Sequence, residues 1–229
     1  MRIAPQAQDP EVLSYLALRK AVGAIALGLP FALAIPWWLF HHHVLQSSIS
    51  GYYYTGMRNL FVGSLCAISM FMLSCRGYDR QDEIAGFFSA FCALGVAFFP
   101  TAPDTDATPR QLDLATVHYI FAALLFSTLA YFCLVLFKMS ARNRSLTRKK
   151  LQRNRVYTVC GCAIILSMLL IAILHMILKI DVLAGNFQTV FCFETTSLLA
   201  FGVAWLVKGE TFLKDDDSHP SNTTVSEEG

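Results

Sequence analysis

Six apolar stretches, each near the length of a bilayer-spanning helix, constrain this chain more than any other feature: about 20–40, 59–75, 84–100, 117–137, 156–178 and 187–207. A bilayer core of roughly 30 Å takes about 20 residues of helix. In hydrocarbon every backbone amide and carbonyl must be paired inside its own segment or in a closed barrel, so uninterrupted apolar runs of this length fold as helices. Of the 229 residues, 55% are hydrophobic and only 15% charged, and the mean hydropathy is +0.50. That is more apolar surface than a soluble domain of this size needs to bury one core. The expected fold is therefore all-α: a polytopic membrane protein built as a bundle of six transmembrane helices.

The first apolar run is preceded by about twenty residues, lacks a small-residue cleavage site and ends in Pro36-Trp37-Trp38, so it reads as a retained span rather than a secretory signal. Trp37, Trp38 and the later tyrosines suit the interfacial aromatic belt. Cys66, Cys92, Cys133, Cys160, Cys162 and Cys192 fall inside expected spans and Cys75 at the end of one, which points to reduced, packed thiols. Lys and Arg concentrate at Arg2, Arg19 and Lys20, at Arg76 and Arg80, and above all between Lys138 and Arg155. These segments alternate with poorer ones, and the positive-inside rule then makes both termini cytoplasmic. The expected organisation is a cytoplasmic segment over 1–19, a six-helix membrane domain over 20–210, and a disordered acidic cytoplasmic tail over 211–229. The basic 138–155 loop suits anionic lipid headgroups. It is short and has no aromatic residues to stack bases, so nucleic acid is not expected as a partner.

In this orientation costly side chains gather toward the outer half. The first outer loop carries "SSISGYYYTGMR" over 47–58, three tyrosines between two glycines and followed by Arg58. Gly51 and Gly56 are expected to turn the backbone sharply, and the tyrosines to set an apolar body at headgroup depth with the hydroxyl toward a site. Asp104 lies in the second outer loop, His118 at the outer start of the fourth span, and His175 near the outer end of the fifth. Glu194 is the least ordinary: a carboxyl roughly 10 Å down the sixth helix costs about 2.5 kcal/mol or more unless protonated, paired or facing water. Arg58, His118, His175 or a tyrosine are its expected partners. The expectation is an outward-facing polar pocket of Ser50, Tyr52, Arg58, Asp104, His118, His175 and Glu194, with the 47–58 loop as its rim.

No close-spaced catalytic motif accompanies this set. No cofactor is expected; the alternative is zinc held by His118, His175 and Glu194, a ligand set able to activate water. Haem would need a histidine on each of two helices, and His118 with His175 is the single such pair, with nothing else specific to haem. No internal repeat or pair of broken helices marks a transporter. Gly86 and Ala90 in the third span predict close helix packing.

The stretches "SISGYYYTGMRNLFVGSLCA" (48–67), "CRGYD" (75–79), "ALGVAFFPTAPD" (93–104), "VHYIFAALLF" (117–126) and "FGVAWLVKGE" (201–210) resemble a group of largely uncharacterised bacterial six-span membrane proteins. The chain is more distantly similar to the DRAM and Frag-type six-span family, whose first outer loop also carries a Ser-Ile-Ser type element. Asn59 stands where the closer group is expected to carry an acidic residue. The resemblance implies a bacterial cytoplasmic membrane and a role connected with lipid. The leading expectation is a protein that binds or senses a membrane lipid or small amphiphile in the outer pocket. The alternative is an intramembrane lipid hydrolase or headgroup-modifying enzyme. Oligomeric state is open at this level.

Overall fold

The computed structural model describes residues 10–41, 44–74, 80–103, 106–139, 148–174 and 188–211. Cys75, the middle of the basic loop and the acidic tail lie outside the described residues. Among those described, all regular structure is helical: α1 (Pro10–Phe40), α2 (Arg58–Ser74), α3 (Arg80–Phe98), α4 (Pro109–Leu134), α5 (Arg148–Ala172) and α6 (Thr189–Lys208), with short 3-10 turns at Ser50–Tyr54 and Leu136–Lys138. Each helix packs on the next in the chain, α6 returns to α1, and α4 also touches α6, so the six form a closed bundle.

Among the described residues, four helices are long and apolar enough to cross a membrane: α1 from Tyr15, α4 with its following turn, α5 and α6. The apolar α2 is shorter, with 17 residues, and α3 opens on Arg80-Gln81-Asp82-Glu83. Every helix turns large apolar side chains outward, among them Phe31, Met70, Phe87, Ile120, Val159 and Val203, which are 39–68% exposed. Apolar surface spread over all sides suits a hydrocarbon solvent and not water. The six described cysteines are free thiols.

The helices begin and end differently from the apolar runs. Helix α1 starts at Pro10, well before its run, and continues through Pro30 and Pro36, each of which lacks the amide that would bond four residues back. Helix α4 starts at a capping box: the Thr108 side chain accepts from the Gln111 amide, Gln111 Oε1 accepts the Thr108 amide at 2.9 Å, and Pro109 fills the first helical position. That start places His118 more than two turns inside the helix rather than at its outer edge.

Small residues set the closest approaches. A Cβ on Gly202 of α6 would lie 2.9 Å from the Gly23 carbonyl oxygen and 2.7 Å from Leu27 Cγ of α1, and a Cβ on Gly23 would meet Gly202 O at 2.9 Å. The two backbones are in contact there, as small residues allow between membrane helices. Gly86 and Ala90 are buried in the α2–α3 contact, where Ser69 Oγ donates to Ala90 O at 2.9 Å. Toward the ends of α4 and α6 the core is aromatic, with Phe132, Phe137, Tyr157, Phe201 and Trp205 in a chain of tilted and edge contacts.

Gly202→Ala forces α1 and α6 apart and is expected to destabilise the bundle by about 1–3 kcal/mol. Gly63→Ala, whose added Cβ meets nothing within 4 Å, is the control and should leave stability unchanged or raise it by up to about 1 kcal/mol. Thermal unfolding in detergent measures both.

Candidate functional site

The 47–57 segment is a folded cap docked on one end of the bundle, and its three tyrosines do three different things. Tyr52 is wholly buried, edge-on to Trp37 of α1 and tilted against Phe191 of α6, each at 6.3 Å between centroids. Tyr53 sits beneath the Arg58 guanidinium, 4.3 Å from ring centroid to Cζ, and its hydroxyl accepts from Arg58 Nη2 at 2.6 Å. Tyr54 reaches across to the turn after α3, donating to the Thr101 carbonyl at 2.7 Å. Thr101 Oγ1 in turn lies 3.2 Å from the Tyr119 hydroxyl on α4. Neither Gly51 nor Gly56 takes a positive φ. The direction changes instead through the 3-10 turn, with Ser48 Oγ accepting the Gly51 amide at 2.9 Å.

Glu194 holds this cap to α6. Its Oε2 accepts the Ile49 amide at 2.6 Å, with the Ser50 amide beside it. Two further bonds run alongside: the Phe191 amide donates to Ser47 O at 3.0 Å, and Gln188 Nε2 to Leu45 O at 3.3 Å. A carboxyl in the second turn of an apolar helix thus satisfies backbone donors that a non-helical loop leaves open. Thr196 and Ser197 bond back to carbonyls of their own helix at 2.8 and 3.0 Å.

His118 belongs to a separate set. It is 2% exposed, and its Nδ1 lies 2.7 Å from the Phe99 carbonyl oxygen. A carbonyl only accepts, so this nitrogen carries a proton and the imidazole ties α4 to the end of α3.

The structure therefore brings Ser50, Tyr52 and Glu194 together on the α1–α6 side of the cap, sets His118 on the α3–α4 side, and turns Arg58 outward onto Tyr53. Asp104 and His175 lie outside the described residues. Among the described residues no group of three or more His, Cys, Asp or Glu is placed to hold a metal ion. The partner of Glu194 escaped the sequence reading, which looked to side chains; a backbone amide carries no residue-type signal. A cleft lies at the opposite end of the bundle, among α1, α2, α3, α4 and α6, where the sequence suggested topology-setting charge and attraction to anionic headgroups. No family model, curated protein or solved structure matches the chain.

Burial holds the Tyr52 phenol above its ordinary value of 10, the nearby Gln46 amide pulling the other way; burial also raises Tyr54, with Tyr53 and Tyr119 adding to it. The folded state keeps these protons longer than the unfolded chain. Their contribution to stability is complete below pH 10 and falls as pH climbs past 10 toward the folded-state values. In a phenolate absorbance titration, Tyr52→Phe is expected to remove an ionisation from the alkaline end of the curve.

Glu194→Ala leaves the Ile49 amide unpaired and is expected to cost about 1–3 kcal/mol and to expose the 47–57 segment to protease. Glu194→Gln keeps an acceptor and should show much less of both. Limited proteolysis with thermal unfolding of the two variants reads the difference.

Proposed function

We propose that this chain is a six-span integral membrane protein that binds a lipid or small amphiphile at its cap end without transforming it. The observation that carries this is the engagement of the groups best suited to acid–base chemistry. Glu194 is taken up by the Ile49 amide and His118 by the Phe99 carbonyl, on different sides of the cap. What the cap presents outward is the Arg58–Tyr53 pair and the Tyr54 ring, which is 41% exposed. A cation stacked on an aromatic ring at the rim of apolar helices offers an anionic or zwitterionic headgroup a charge partner, with apolar surface below it for the tails. The alternation of Lys- and Arg-rich connections supports placing the cap outside and both termini in the cytoplasm. The resemblance to six-span proteins tied to lipid handling points the same way.

Lipid extracted from the detergent-purified protein and quantified by mass spectrometry tests this. Wild type is expected to retain a defined polar lipid, and Arg58→Gln, a change at an exposed side chain, to lose most of it while keeping its thermal stability. Equal retention by both sinks the assignment of the cap. A change in the mass of added phospholipid on incubation, abolished by His118→Ala, would instead make the protein a hydrolase.

A further inference from the structure

The end of the bundle opposite the cap gathers cations around a cleft. Tyr15 and Arg19 of α1, Asp82 of α3, Phe137 after α4, and Trp205 and Lys208 of α6 are among its walls. Its interior holds about 20 Å³, room for roughly one water or one anion oxygen, and it is open at the mouth.

The walls are unevenly charged. Arg19 of α1, Lys208 of α6 and Asp82 of α3 line the cleft together, and Lys150 and Arg153 of α5 lie near enough to add positive field at Lys208. Lys208 Nζ stands 5.5 Å from the Phe137 ring centroid. Arg19 is only 8% exposed; its guanidinium lies 4.2 Å from the Tyr15 centroid and gives one of its five N–H groups to the Tyr15 hydroxyl at 2.8 Å. Lys150 is directed elsewhere, to the Phe137 and Met139 carbonyls at 3.3 and 3.4 Å. Trp205 is 3% exposed, and its Nε1–H is buried without an acceptor. An indole nitrogen only donates, and Trp205 is a wall of the cleft, so an oxygen acceptor seated in the interior would satisfy it.

We infer that this cleft binds a phosphate group. One phosphate oxygen fills the interior within reach of Trp205, and the remaining oxygens occupy the mouth between Arg19 and Lys208. A nearly buried guanidinium beside an ammonium is the donor pair that phosphate recognition favours, and its charge-assisted hydrogen bonds are the strong ones. The cleft lies where α1 begins and α6 ends, at the depth of lipid headgroups if those helices span a bilayer. The phosphate then belongs either to an anionic lipid or to a soluble phosphate. This site is independent of the cap and does not rest on lipid binding there.

The test uses the full chain in detergent, titrated with phosphatidate or phosphatidylcholine under native mass spectrometry, and unfolded thermally in inorganic phosphate against chloride at equal ionic strength. Wild type is expected to take up phosphatidate saturably and in preference to phosphatidylcholine. Lys208→Gln and Trp205→Phe should each weaken that uptake, Lys208→Gln by about tenfold. Arg155→Gln, which removes the same charge from an exposed position on α5, should change it by less than about twofold. Stabilisation by inorganic phosphate that Lys208→Gln abolishes, without preference among lipids, supports the site with a soluble phosphate as its ligand. Should Lys208→Gln fail to fold, Trp205→Phe, which removes only the N–H donor and some bulk, carries the comparison. The inference is overturned if neither phosphate source discriminates wild type from the cleft variants, or if Arg155→Gln weakens binding as much as Lys208→Gln.

Discussion

The bond from the Ile49 amide to the Glu194 carboxyl resolves a conflict that runs through this protein. Apolar helices satisfy their own backbones, but the segment joining α1 to α2 is not regular helix and still packs against the bundle. Its amides need acceptors where water is scarce. Glu194 provides one, Ser48 another, and the Ser47 and Leu45 carbonyls receive donors from the start of α6 in exchange. Because α6 also meets α1 backbone to backbone at Gly23 and Gly202, the cap, α1 and α6 form one mechanical unit.

The two ends of the bundle are built on opposite electrostatic plans. At the cap end the charged groups and the imidazole are matched pairwise, carboxyl to amide, imidazole to carbonyl, guanidinium to phenol, while the Tyr52 hydroxyl and Thr195 Oγ1 are buried there without a hydrogen-bond partner among the described residues. At the other end Arg19, Lys208 and Asp82 line a cleft in which the Trp205 indole donor is left open. Matched groups give rigidity, whereas an open donor gives affinity for whatever acceptor reaches it.

Much of the fold was legible because its cause is local. An apolar run of about twenty residues has few alternatives to a helix whatever surrounds it. The Thr108-Pro109 start of α4 also has a local cause, capping chemistry within four residues, but the expected span beginning at 117 did not use it. The burial of Gly86 and Ala90 follows from their spacing. The candidate site was less legible. Glu194 stood out as a costly residue needing a partner, but the sequence suggested side chains, and its partner is a main-chain amide 145 residues away. His118 was read at a helix edge because the apolar run starts late, while the helix itself starts at Pro109. Arg19 looked like a topology signal, and Lys208, an ordinary basic residue at the end of an apolar run, was not singled out.

By itself the sequence determined that the chain is helical, apolar on nearly every helix, and asymmetric in charge between its ends, since these depend on composition and short-range periodicity. The tertiary structure alone decided which polar groups meet. Glu194 to Ile49, His118 to Phe99, and Arg19 to Lys208 across α1 and α6 are encounters set by helix packing and crossing. They depend on where small residues such as Gly23 and Gly202 let backbones touch, and no local pattern encodes distances between segments so far apart in the chain.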